Sequence, residues 1–165
     1  MQKSRSCCFT GHRENKLPWR GDETDPRCVA LKKEIYRAVE RAYLSGARHY
    51  ICGMATGCDF YFAEAVLALR NKLLDITLEA AIPHLGQADG WSLQNQARYA
   101  LIRSQCDYET IVTDNYTPDC MRRRNEYMVD HSALLIAAYS GAAGGTRNTI
   151  LYAMRHDVEI YEIEI

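Results

Sequence analysis

A chain of 165 residues with 47% hydrophobic and 25% charged residues has the composition of an ordinary soluble protein, long enough to bury roughly two thirds of its unfolded surface without a disulfide or cofactor to hold it together. Its 20 Lys and Arg against 21 Asp and Glu give a formal net charge of -1, which excludes a global attraction to nucleic acid and leaves any phosphate binding to local groups. The seven cysteines are odd in number and include no Cys-x-x-Cys pair, which argues against a disulfide framework or a zinc site; with neither a signal peptide nor a run of transmembrane length, a reducing cytoplasm is the expected setting.

In chain order, Cys7-Cys8-Phe9-Thr10 reads as a short strand that stops at Gly11-His12-Arg13, where a glycine frees the backbone beside two side chains able to hold phosphate. Glu14 to Thr24, polar and containing Pro18 and Gly21, is a loop long enough to cover that strand end, with Trp19 as its anchor. Asp25-Pro26 starts a helix, a capping side chain before proline at the first helical position, and Leu31, Ile35, Ala38, Val39 and Ala42 recur at helical spacing before Gly46. Arg48 to Cys52 is a second strand, running into Gly53-Met54-Ala55-Thr56-Gly57-Cys58-Asp59 and then a helix through Phe62, Val66, Leu69 and Leu73.

Ile76 to Ile82 is a third strand ended by Pro83; a loop from His84 to Gly90 precedes a helix over Trp91 to Ser104, and a fourth strand follows at Tyr108 to Thr113. Asp119 is placed to cap a helix from Cys120 to His131. The apolar run Ala133 to Ala138, too short for an ordinary buried helix and bounded by turn residues, reads as a strand covered on both faces. Behind it Gly141, Gly144 and Gly145 open backbone amides to a ligand, Thr146 can begin a helix that runs to His156, and Glu159 to Ile163 is a last strand. A helix opening behind glycines is a ready anion site.

Alternating strands and helices predict an α/β fold, a single Rossmann-like three-layer domain over residues 1–165 with a mainly parallel sheet and helices on both faces. Right-handed crossovers place all strand carboxyl ends on one edge, so the turns at Gly11, Gly53 and Gly141 converge where ligands bind in open sheets. Each glycine alone reads as a plain turn; their convergence defines the candidate ligand site. That site comprises Thr10, Gly11, His12, Arg13, Gly53, Thr56, Gly57, Asp59, Arg124, Asn125, Gly141, Gly144, Gly145 and Thr146, a set suited to a phosphorylated small molecule such as a nucleotide.

Within Arg122-Arg123-Arg124, spacing separates the third residue from its neighbours. Arg124 and Asn125 share the buried face of Met121 and Met128, so Arg124 points toward the sheet and needs a buried partner or an anionic ligand, while Arg122 and Arg123 stay in solvent. The five histidines show no metal-ligand spacing, and only His12 falls at the expected site. Trp91 and Tyr99 read as core residues, with either able to stack on a base.

On Phe9-Thr10-Gly11-His12-Arg13, on Gly53 to Asp59 with Ala63-Glu64-Ala65, on Ile82-Pro83 with Gly86-Gln87 and Trp91, and on Arg124-Asn125 through Gly144-Gly145-Thr146, the chain resembles the SLOG superfamily. That Rossmann-like group includes the LOG phosphoribohydrolases and the DNA-processing protein DprA, and the likeness is greatest to its YpsA-like branch. The resemblance spans nearly the whole chain. It implies a pocket for a nucleotide or nucleotide-derived ligand, NAD-like and ADP-ribose-like molecules included, in a sensor or an enzyme acting on such ligands.

LOG enzymes carry an arginine-lysine pair ahead of a Pro-Gly-Gly-x-Gly-Thr-x-x-Glu motif. Here Arg124-Asn125 matches the pair only at its arginine, Tyr139-Ser140-Gly141 replaces the Pro-Gly-Gly portion, and Thr149 stands in the place of the glutamate. N-glycosidase action on nucleoside monophosphates then requires a carboxylate from elsewhere, with Asp59, Glu64 and Glu126 as candidates. The expectation is nucleotide binding or sensing, with no catalytic residue assigned, no cofactor required and no metal. N-glycosidase action and DprA-like binding of single-stranded nucleic acid are the alternatives. The expected partner is a phosphorylated small molecule, not nucleic acid, since a charge of -1 supplies no basic groove, and not a membrane; a homo-oligomer is left open.

Overall fold

The computed structural model describes Met1–Ile165. Six strands, β1 (Ser6–Gly11), β2 (His49–Cys52), β3 (Thr77–His84), β4 (Tyr108–Thr113), β5 (Leu134–Tyr139) and β6 (Glu159–Glu164), alternate with five helices, α1 (Pro26–Leu44), α2 (Cys58–Arg70), α3 (Leu93–Gln105), α4 (Cys120–Asp130) and α5 (Gly145–Arg155). All strand pairs are parallel, in the order β4-β3-β2-β1-β5-β6, giving the Rossmann-like α/β architecture. The chain steps outward from β1 to β4, and α4 then carries it back across the sheet to β5. The order therefore reverses between β1 and β5, whose register sets Thr10 beside Ala137 and Gly11 beside Ala138.

The central strands β1, β2, β3 and β5 are buried on both faces because both faces are covered, whereas the edge strands β4 and β6 carry exposed polar residues. Cys7, Phe9, Ile136 and Ala138 point into a cluster of 32 buried residues shared with α1, α2 and α3, whereas Cys8, Leu135 and Ala137 point the other way, into a cluster of ten shared with α4 and α5. Period-two alternation thus divides the central strands between two cores. The loop after β1 is fastened to the larger one: Leu17 and Trp19 are buried, the Trp19 indole N–H donates to the Tyr61 hydroxyl at 3.4 Å, and Glu23 pairs with Lys32 and Arg98.

Several element ends differ from expectation for identifiable reasons. Asp25 does cap α1, accepting from the Arg27 amide at 2.8 Å with Pro26 at the first position. Trp91, however, lies outside α3, which Ser92 caps through a bond from the Asn95 amide at 3.1 Å. Pro83 does not end β3, because past the Cys52–Ala80 pair β2 has stopped and only β4 remains as a neighbour, leaving one side where a missing N–H is tolerated. The Asp119 carboxylate accepts from the Thr117 hydroxyl at 2.8 Å rather than capping α4. Thr146 is not the cap of α5 either: Gly144 occupies that position with φ +146°, and no side chain satisfies the first amides.

Candidate functional site

A cavity of about 140 Å³ opens at the reversal of strand order, between the carboxyl ends of β1 and β5 and beside α4. Of the expected site residues it brings together Thr10, Gly11, His12, Arg13, Asp59, Arg124, Asn125, Gly144, Gly145 and Thr146, and it adds Phe9, Lys16, Ala55, Met121, Met128 and Ala143. Gly53, Thr56, Gly57 and Gly141 do not line it.

The glycines divide into two kinds. A Cβ on Gly57, whose φ is +79°, would stand 2.5 Å from the Glu14 backbone nitrogen; one on Gly11 would stand 2.5 Å from the Cys58 Cβ. One on Gly53 would meet the Arg124 Cζ at 2.9 Å and the Asp59 Oδ2 at 3.0 Å. These three positions allow chain to approach chain: the segment after β1 lies against the start of α2, and Arg124 lies against the end of β2. A Cβ on Gly145 would meet nothing, and on Gly144 only the Lys16 Nζ at 3.6 Å. Gly144 and Gly145 are therefore the glycines that leave the backbone open to a ligand. Gly141, with φ +91°, is a turn in open space, and Thr56 faces a neighbouring cavity with Arg13 and Trp91.

Arg124 is 4% exposed, on the α4 face that also buries Met128, while Arg122 and Arg123 are exposed. Its Nε donates to the Asn125 Oδ1 at 2.8 Å and its Nη1 to the Gly53 carbonyl, but its Nη2 finds only the Met121 Sδ at 3.9 Å. Arg13 directs its Nη2 to the same sulfur, at 3.5 Å. Two guanidinium groups thus converge on one thioether, a weak acceptor, and neither has an ion-pair partner. The buried carboxylate nearby, Asp59, accepts from the Ala55 amide at 3.1 Å. Burial raises its pKa more than Arg124 lowers it; burial likewise lowers that of Arg124, against the opposing pull of Asp59. With Arg13, Lys16 and Arg124 facing a single carboxylate, the cavity carries an excess of positive charge.

His12 joins the two strand ends. The Ser140 amide donates to its Nε2 at 3.3 Å and the Ser140 hydroxyl lies 2.8 Å from the same nitrogen, so Nε2 accepts and the ring proton is assigned to Nδ1. Burial, and secondarily Lys16, lower its pKa, which leaves the ring neutral at pH 7. Thr149 is 3% exposed, with its hydroxyl donating to the Gly145 carbonyl at 2.8 Å. Of the three candidate carboxylates, Glu64 pairs with Arg98 at 2.6 Å and Glu126 pairs with Arg122 at 2.8 Å, so Asp59 alone lines the cavity. No cluster of three or more His, Cys, Asp and Glu side chains is placed to hold a metal ion.

Two groups of residues were not anticipated. Lys16 reaches the cavity from a loop with no periodicity to mark it. A buried network joins His49, whose Nε2 lies 2.7 Å from the Glu79 Oε1, with Tyr127 and Thr110, which donate to the Glu79 Oε2 at 2.6 and 2.9 Å. The one sequence signal for it is a glutamate inside an apolar strand.

The sequence profile of the YspA SLOG family matches residues 7–165. The chain is 28% identical over 144 residues to the uncharacterized SPbeta prophage-derived protein YoqJ of Bacillus subtilis (strain 168), covering 79% of this chain and 84% of that protein. It is 26% identical over 154 residues to a UPF0398 protein of Bacillus thuringiensis (strain Al Hakam), covering 92% and 83%. Among solved structures it is similar to DNA processing protein A (DprA) from Streptococcus pneumoniae, with a TM-score of 0.66 at 15% identity over 99% of this chain and 51% of that one. It is also similar to DprA from Helicobacter pylori, described by its single-stranded DNA binding mode, with a TM-score of 0.62 at 12% identity over 97% and 65%. The chain spans about half the length of the pneumococcal protein, and at these identities the likeness is one of fold. It corrects the expectation that nucleic acid is no partner, since a protein built on this fold has a single-stranded DNA binding mode. Net charge was a poor ground for that exclusion: a whole-surface sum of -1 does not register a local group such as Arg13, Lys16 and Arg124.

Proposed function

This chain belongs to the YspA SLOG family, and from that premise we propose that it binds a nucleotide or nucleotide-derived small molecule, with the phosphate seated between the ends of β1 and β5. The observation that carries this reading is the convergence of Arg13 and Arg124 on the Met121 sulfur, with Asp59 the one carboxylate that acts on both and not in ion-pair contact with either. Like charges held so near in a partly desolvated cavity repel, and a phosphate between them engages their idle N–H groups and reverses the sign of that interaction. The open start of α5 at Gly145 and Thr146 adds amides and the positive end of a helix dipole, and Lys16 adds a third cation at the Gly144 side.

Catalysis is a separate matter. The Thr149 hydroxyl is engaged by its own helix, so N-glycosidase action would have to work through Asp59. A second reading, a phosphate within a single-stranded nucleic acid, draws on the DprA likeness and on grooves that adjoin the cavity on both sides, one sharing Met121, Asn125 and Gly145 and the other sharing Arg13.

Thermal denaturation with AMP, NAD, ADP-ribose and inorganic phosphate tests the proposal, alongside a labelled oligonucleotide titrated at two salt concentrations. A ligand at one hundred times its Kd stabilises by about 2.7 kcal/mol, roughly 5–10 °C for a chain of this size. A cooperative transition that no phosphorylated ligand shifts refutes it. Salt-sensitive oligonucleotide binding without a shift from the small ligands assigns the cavity to the second reading.

A further inference from the structure

Beside the anion cavity lies a larger one of about 480 Å³, and Arg13 forms a wall of both. Trp91 lines it, half-buried and held by near-perpendicular contacts with Tyr99 (centroids 5.5 Å apart, 90°) and Phe60 (6.1 Å, 78°), and no other ring is stacked parallel on the indole. Gln96 donates to the Trp91 carbonyl at 3.0 Å, which fixes the backbone as well. Around the indole stand Thr56, Gln94 and Asn95, hydroxyl and amide groups that both donate and accept without bringing a charge. Glu14 also lines the cavity, and its carboxylate accepts one of the Asn95 amide hydrogens at 2.8 Å, leaving the Asn95 Oδ1 free to accept.

We propose that this cavity is a base-recognition subsite: the ligand whose phosphate sits at Arg13 and Arg124 carries a planar nitrogen base that stacks on Trp91 and is read at its edge by Thr56, Gln94 and Asn95. The inference rests on the anion-site reading and deepens it, giving the base of that nucleotide-like ligand a place and named residues to recognise it. A rigid aromatic surface offers stacking with little ordering cost, and amide groups match the mixed donors and acceptors of a base edge. The groove on the other side of the anion cavity, between α4 and α5, offers no such surface. Its Tyr152 is already stacked on His156 (4.0 Å, 23°) with its hydroxyl bound to Asp130, and an Arg122–Glu126 ion pair occupies its wall.

The test is calorimetric titration of AMP, ribose 5-phosphate and inorganic phosphate into the wild-type chain, Trp91→Ala, Trp91→Leu and Arg124→Ala. In parallel, fluorescence is read in a Trp19→Phe background, where Trp91 is the one remaining tryptophan of two. The wild type should bind AMP at least tenfold more tightly than ribose 5-phosphate. AMP should quench Trp91 emission and ribose 5-phosphate should not. Trp91→Ala, or Trp91→Leu should the alanine variant fold poorly, should weaken AMP about tenfold or more while leaving ribose 5-phosphate within about twofold. Equal affinity of the two ligands for the wild type, or equal losses on changing Trp91, overturns the base subsite while leaving the anion site standing. Failure of all three ligands to bind, or indifference of all three to Arg124→Ala, overturns the anion site and this inference with it. A hexadeoxyadenylate arm separates the sources: Trp91-dependent binding tighter than that of AMP supports the same stacking with a strand as ligand, and weaker binding supports it with a free nucleotide.

Discussion

Replacing Arg124 by methionine separates the proposed anion site from the fold around it. The side chain keeps its approximate length but loses the charge; the Gly53 carbonyl it bonds retains a second donor, the Gln87 Nε2 at 3.2 Å, while the half-buried Asn125 Oδ1 loses its donor and turns to water. Removing a desolvated guanidinium with no ion-pair partner relieves a burial cost; against this, Asp59 loses its positive neighbour and its carboxyl is pushed further up. The two effects oppose, and unliganded stability should change by no more than about 1–2 kcal/mol. Binding should change far more: a charge-assisted hydrogen bond to the ligand inside the cavity is worth roughly 1.5–3 kcal/mol, and its removal should raise Kd about 10- to 100-fold. Arg122→Met and Arg123→Met lie on the exposed side of α4, with Arg122 already paired to Glu126, and each should cost under about 1 kcal/mol. Titration calorimetry with AMP or pyrophosphate on the three variants, beside their melting curves, measures both quantities. Equal losses across the three would mean that the arginines act as a diffuse surface patch, and the cavity assignment would fall.

Gly57→Ala should destabilise by roughly 2–5 kcal/mol, since its Cβ would meet the Glu14 backbone at a φ that favours glycine; a melting temperature equal to that of the wild type would remove the chain-on-chain role given to this residue. Burial alone would raise the Glu79 carboxyl, but bonds from His49, Tyr127 and Thr110 outweigh it and hold it below the usual 4.5. A depressed carboxylate contributes stability that is present above its unfolded value and lost as pH falls through the folded one, so urea denaturation of Glu79→Gln should show a shallower loss than the wild type below about pH 4.5. Arg98→Ala, by releasing Glu23 from α3, should speed hydrogen exchange in residues 17–24 about tenfold, and unchanged protection there would show that Leu17 and Trp19 hold the loop without it.

The layout of strands and helices was readable because strict alternation and short apolar runs leave few topologies open, and the switch point followed from topology. Arg124 was readable too, since the seven-residue spacing of Met121 and Met128 fixes a helix face. The meaning of the glycines was not. A glycine that admits a ligand and one that admits another stretch of backbone look alike in sequence, and the groups that crowd Gly53 and Gly57 come from Arg124 and Glu14, distant in the chain. Helix ends failed similarly where a local competitor won, as when Thr117 engages Asp119. The His49–Glu79 pair required the register of β2 on β3, where His49 sits opposite Thr77, two residues before the glutamate.

The two cores on either side of the sheet are unequal, ten buried residues under α4 and α5 against 32 under the other three helices, and the cavity at the ends of β1 and β5 lies on the seam between them. The thinner side is also completed by the longest-range step in the topology, the return of α4 from the β4 edge to β5, a closure whose entropic cost falls before its contacts form. Arg13, Asp59 and Lys16 belong to the part of the chain that can assemble early through near-neighbour pairings, whereas Arg124 and the amides of Gly144 to Thr146 arrive with the late part. Native-state hydrogen exchange should accordingly find a partially unfolded form in which α4 and α5 detach as a unit, and a bound anion, touching both parts, would act as a clasp that raises the free energy of that opening above all others.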